Sequence, residues 1–147
     1  MLQGKLNIGE NYPFTVIKHL PDPIAGGWFV LADPYGCKHL LTDEYYLNYG
    51  FEPGKSVICT VDKVNCKGKI FLEPEHPIYK PGDIAEFTFV EYASIFNKKR
   101  KKEIPVSYFT DEYGSKSVLM QQQKFSADKI NFRISRIKKS TIFIEFP

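Results

Sequence analysis

The chain matches itself, and that repeat limits its fold more than any other feature. Phe14-Thr15-Val16-Ile17 returns as Phe87-Thr88-Phe89-Val90, 73 positions on, and Asp33-Pro34-Tyr35-Gly36 returns as Asp111-Glu112-Tyr113-Gly114 after 78, because the second copy has a longer loop before it. Val61-Asp62-Lys63-Val64 recurs as Ile134-Ser135-Arg136-Ile137 and Ile70-Phe71-Leu72-Glu73 as Ile142-Phe143-Ile144-Glu145, at shifts of 73 and 72. Order and spacing are kept, so the 147 residues divide into two similar units, each of which must bury a core of its own. An apolar content of 43% is enough for that.

Within the first copy the strand-like runs fall at about 12–20, 27–33, 36–41, 56–65 and 69–73. Val57, Cys59 and Val61 alternate with Ile58, Thr60 and Asp62, the two-residue period of a strand. Turn chemistry bounds the runs at Pro21-Asp22-Pro23, Tyr35-Gly36, Pro53-Gly54 and Lys67-Gly68. Only Thr42 to Asn48 reads as helix, with Thr42 as N-cap, acids in the first turn and Gly50 as the stop. Twelve Phe, nine Tyr and one Trp favour pleated, half-buried surfaces. The expectation is a mainly all-β protein of two tandem five-stranded OB-fold barrels, each with at most one short helix between strands three and four. Its predicted bounds are 1–75 for the first module, 76–82 for a stiff Pro-rich connector and 83–147 for the second module.

Gly27-Trp28-Phe29-Val30, Gly36-Cys37-Lys38-His39 and Pro53-Gly54-Lys55-Ser56-Val57 carry a resemblance. Over residues 12–75 the first module resembles the S-one type RNA-binding domain, the OB repeat named after a large ribosomal protein. The resemblance implies that Phe29 and His39 lie on the outer face of the barrel and contact RNA, with Lys38 beside them. An exposed ring there is a stacking platform that tolerates any base. Trp28 departs from the small residue of the family pattern. Strand alternation puts Trp28 and Phe29 on opposite faces, so one of the two should be accessible.

The second copy is degenerate by the same pattern. Gly114-Ser115-Lys116-Ser117 has Ser in place of His, and Val106-Ser107-Tyr108-Phe109 lacks the Gly-small-Phe-Val signature, which predicts a retained fold without the site. Charge is concentrated in this half: residues 1–81 carry net −1 and residues 82–147 net +4. Lys98, Lys99, Arg100, Lys101 and Lys102 form one run in the predicted loop between the first two strands, and Arg133 and Arg136 follow on the fourth strand. Such cations can neutralise phosphates and release counterions. A basic loop that is merely solvated is the competing reading.

No Gly-rich phosphate loop, Gly-x-Ser-x-Gly elbow or His-Glu-x-x-His helix is present, so the sequence predicts no enzyme. Glu73, Glu75 and His76 cluster, but on the Pro-bounded connector. Cys37, Cys59 and Cys66 lack zinc-site spacing and read as reduced thiols, with no metal and no cofactor expected. No apolar stretch approaches the roughly 20 residues of a membrane helix, and Met1 to Lys5 lack a signal-peptide layout. The expected location is the cytoplasm. The strand-like end at Pro147 suggests an excerpt of a longer polypeptide. The expected partner is single-stranded nucleic acid, RNA favoured, and the alternative is a module that docks other domains or proteins.

Overall fold

The computed structural model describes residues 5–147; Met1 to Gly4, the start of the supposed leader-free opening, lie outside the described residues. The chain divides into two compact units at Pro77/Ile78. In unit one, β1 (Asn11–Leu20) pairs through its first half with β4 (Ser56–Val64) and through its second half with β2 (Trp28–Ala32). β2 then pairs with β3 (Lys38–Thr42), and β4 with β5 (Ile70–Pro74), all antiparallel. The sheet order is β3-β2-β1-β4-β5.

Unit two repeats this order with β6 (Ile84–Asn97), β7 (Lys102–Thr110), β8 (Lys116–Leu119), β9 (Lys129–Lys138) and β10 (Thr141–Glu145). Here β10 also pairs in parallel with β8, which closes the sheet into a barrel. The fold is therefore all-β, two five-stranded sheets with one strand order.

The repeated sequence is the repeated core. Phe14, Leu31, Leu41, Cys59, Val61 and Leu72 are buried in unit one, where Phe87, Phe109, Leu119, Phe132, Ile134 and Ile144 are buried in unit two. Each fully buried aliphatic or Phe side chain contributes roughly 1.5–3 kcal/mol, so these few positions carry much of each unit's stability. Bulges repeat as well. β1 slips between Val16 and Lys18 and β6 between Phe89 and Glu91, while β4 slips between Val61 and Lys63 and β9 takes its extra residue at Ser135.

The expected helix over Thr42–Asn48 is absent; no helix occurs among the described residues. The segment is a chain of turns closed by Tyr46 N–H donating to the Asp43 carbonyl and Tyr49 N–H donating to the Tyr46 carbonyl, each 3.1 Å. Seven residues are too few to repay helix nucleation, and Asp43 and Tyr46 have stronger tertiary partners. Tyr46 enters the core, and its hydroxyl donates to Glu73, 3.2 Å away. Of the stretch 76–82, His76 packs edge-on against Tyr49 in unit one. Tyr79, by contrast, packs against the unit-two core and donates its hydroxyl to Asp111 Oδ2 at 2.7 Å.

Candidate functional site

The structure reverses the expected roles of Trp28 and Phe29. Phe29 is 3% exposed, stacks on His19 at 4.4 Å between ring centres and meets Phe51 edge-on at 5.0 Å. It is a core residue and not an outer-face contact. Its stacking partner is fixed in turn: His19 Nε2 lies 2.8 Å from Asp43 Oδ2, and Asp43 Oδ1 accepts the Gly27 N–H at 3.1 Å. Asp43, Leu20 and Pro21 all come within 3 Å of where a Gly27 side chain would begin, so only glycine fits there. Once Gly27 is pinned against Asp43, alternation sends Phe29 inward and Trp28, 37% exposed, outward.

His39 is also committed. Its Nε2 lies 2.9 Å from Asp33 Oδ2, and the side chain is only 13% exposed. Asp33 Oδ1 accepts the N–H groups of Tyr35 and Cys37 at 2.9 Å each, so the imidazole braces a turn through Nε2. Burial works against the ionised Asp33, but the His39 hydrogen bond and the two N–H groups outweigh it and hold the carboxyl below its ordinary value. Asp111 makes the same turn in unit two, accepting from Tyr113 and Ser115, and its second oxygen takes the Tyr79 hydroxyl. Ser117, which stands where unit one has His39, is fully buried.

Lys38 is exposed at the start of β3, beside the 47% exposed Leu40 two residues on. Three residues missed in the sequence gather around Trp28 on the same unit. Lys69 Nζ lies 4.8 Å from the Trp28 ring centre and 5.1 Å from that of Phe71, and Lys63 Nζ lies 4.9 Å from Phe71. An outward indole is thus linked through one ammonium to a second ring, an arrangement that suits a flat, electron-rich ligand carrying negative charge.

In unit two the run Lys98–Lys102 is not a slack loop. It turns the hairpin between β6 and β7, with Lys102 the first residue of β7, and the Asn97 side chain accepts the Lys99 and Arg100 N–H groups at 3.0 Å. All five side chains are exposed. Arg133 lies in the ladder between Ile84 and Glu145, whereas Arg136 stacks on Phe143 with its guanidinium carbon 4.2 Å from the ring centre. Phe29, His39 and Lys38 belong to unit one and the other cations to unit two.

Glu73 and His76 take separate roles, and among the described residues no three His, Cys, Asp or Glu side chains converge as a metal site. All three cysteines are free thiols, and burial pushes that of Cys59 up to about 12. No helix is long and apolar enough to cross a membrane among the described residues. No protein-family model matches the chain, and neither a curated protein nor a solved structure matches it.

Proposed function

We propose that the chain is a pair of OB-type barrels that binds single-stranded nucleic acid, RNA favoured, in the cytoplasm. The observation that carries this reading is the Trp28 surface of unit one, where an outward indole, Lys69 and Phe71 adjoin on the outside of the sheet. A base stacks on the indole, in the role first expected of Phe29. Lys69 and Lys38 meet the phosphates, and the Lys98–Lys102 turn with Arg133 and Arg136 adds ionic attraction from unit two. Base-on-aromatic stacking of this kind is worth roughly 1–3 kcal/mol per base.

The test is titration of labelled single-stranded RNA and DNA at two salt concentrations, read by anisotropy and by emission of Trp28, the chain's one tryptophan. Affinity that falls steeply with salt, together with quenching of Trp28, is the expected result. No binding at low salt overturns the reading. A protein-docking module is the second reading, favoured by Ile24, 96% exposed, and by Leu20 and Leu40, 44% and 47% exposed, on the same unit as Trp28. Salt-insensitive capture of a polypeptide without nucleic-acid binding would select it.

A further inference from the structure

We infer that unit two carries a nucleic-acid platform of its own, built from Tyr108, Phe143, Lys116 and Arg136, although its sequence lacks the signature found in unit one. The inference rests on the nucleic-acid reading above and adds a second, independently occupied binding strip.

The strip follows from the ladder. Tyr108 on β7 pairs with Val118 on β8, Val118 pairs with Phe143 on β10, and Phe143 pairs with Arg136 on β9. Four neighbouring strands thus contribute one transverse row. Directly paired residues share a face, and that face is the outer one, because the inward positions beside the row are the core residues Phe109, Leu119, Ile142, Ile144 and Ile134. Val118, at the middle of the row, is fully buried, so the accessible parts of the row are the two half-buried rings and their cations on either side of it. The rings sit two strand spacings apart, about 10 Å. Each carries a cation: Lys116 Nζ lies 4.7 Å from the Tyr108 ring centre, and Arg136 is over Phe143.

Two further facts point to a ligand. First, the Phe143 half of the arrangement recurs. Lys63 over Phe71 in unit one occupies the same repeat positions as Arg136 over Phe143, and in both units a bulge one residue earlier turns the cation onto the ring. Secondly, among the described residues no carboxylate pairs with Lys116 or Arg136. A guanidinium lying on a ring uses its face, which leaves its edge of N–H donors for a phosphate. The nearest acid along the row is Glu91, the β6 partner of Tyr108, at the end away from Arg136. Cations seated on rings and neutralised by no carboxylate fit a strand of bases and phosphates better than an apolar peptide.

Trp28 lies in unit one, so quenching by a base in contact with its indole reads binding on that unit, whereas label anisotropy reports every bound oligonucleotide. The full chain is titrated with a fluorescein-labelled pentauridylate, and both signals are followed to saturation. Two oligonucleotides per chain are expected, one quenching Trp28 and one silent to it. Tyr108→Leu with Phe143→Leu should weaken the silent event at least tenfold and leave the Trp28-reported affinity within about twofold. Because both rings are half-buried, Lys116→Gln with Arg136→Gln serves as a second variant that keeps them; it should weaken the silent event and flatten its salt dependence. A single event in which anisotropy tracks Trp28 quenching, unchanged in both variants, overturns this inference and leaves the unit-one reading standing. Absence of any binding overturns both.

Discussion

Units one and two share a strand order but differ at the seam. In unit two the third and fifth strands pair in parallel from Ser117↔Ile142 to Leu119↔Ile144, and the barrel is closed; in unit one the corresponding strands β3 and β5 make no such ladder. The residue at the first rung differs too. Ser117 is small and fully buried, whereas His39 carries an imidazole tied to Asp33. The repeat preserves core volume and bulge positions, while the seam is where the copies diverge. The aromatic rows diverge with it: Tyr108, Val118, Phe143 and Arg136 run unbroken, but the matching residues Val30, Leu40, Phe71 and Lys63 are interrupted between β3 and β5.

The largest expected effects separate fold from surface in unit one. Phe29→Ala should cost about 3–5 kcal/mol in denaturant unfolding of that unit, as for other buried Phe deletions, whereas Trp28→Ala should cost under about 1.5 and instead weaken oligonucleotide binding by roughly tenfold or more. Equal losses of stability from the two would contradict the assignment of faces. Next in size is Gly27→Ala, which drives a methyl group into Asp43 and the Leu20–Pro21 backbone. We expect a loss of about 2–3 kcal/mol confined to unit one, visible as a shift of only one of two thermal transitions.

A smaller effect sets the two Asp-braced turns against each other. The Asp33 carboxyl has a folded pKa below its ordinary 3.8, so its stabilisation is complete above that value and is lost as pH falls through the lower, folded one. Asp33→Asn should therefore destabilise unit one at neutral pH by roughly 1–3 kcal/mol, and the gap from wild type should close in strong acid. A gap that stays constant down to pH 2 would remove the ionised carboxylate from the account. Smallest for stability is neutralising Lys98 to Lys102 with Gln: within about 0.5 kcal/mol on folding, but with a shallower dependence of RNA affinity on salt.

Much of the fold was legible because strands write themselves as alternation. The runs expected at 56–65 and 69–73 became Ser56–Val64 and Ile70–Pro74, and the repeated Phe and Ile positions became the two cores. What was not legible depends on three-dimensional closure. Trp28 and Phe29 are both aromatic and adjacent, so only the contact of Gly27 with Asp43 decides which of them faces out. The rings at Phe71 and Phe143 gain cations because a bulge shifts the register on the neighbouring strand, and a one-residue slip leaves no mark in composition. The apparent helix at Thr42–Asn48 had the right cap but lost to Tyr46, whose place in the core dictates the local backbone.

The hairpin of β6 and β7 outruns the barrel that carries it. β6 pairs with β9 only over Ile84–Thr88 and β7 with β8 only over Ser107–Thr110, so the rungs Ser94↔Pro105 to Asn97↔Lys102 stand on two strands alone. Four such residues extend about 13 Å, more than the roughly 8 Å over which salt at physiological strength screens a charge. If the proposed binding of nucleic acid holds, the five cations at the tip are placed as a forward antenna, felt by a polyanion beyond the range of the barrel's own field. Their imprint should fall on the rate of encounter and leave the lifetime of the docked state to the aromatic faces.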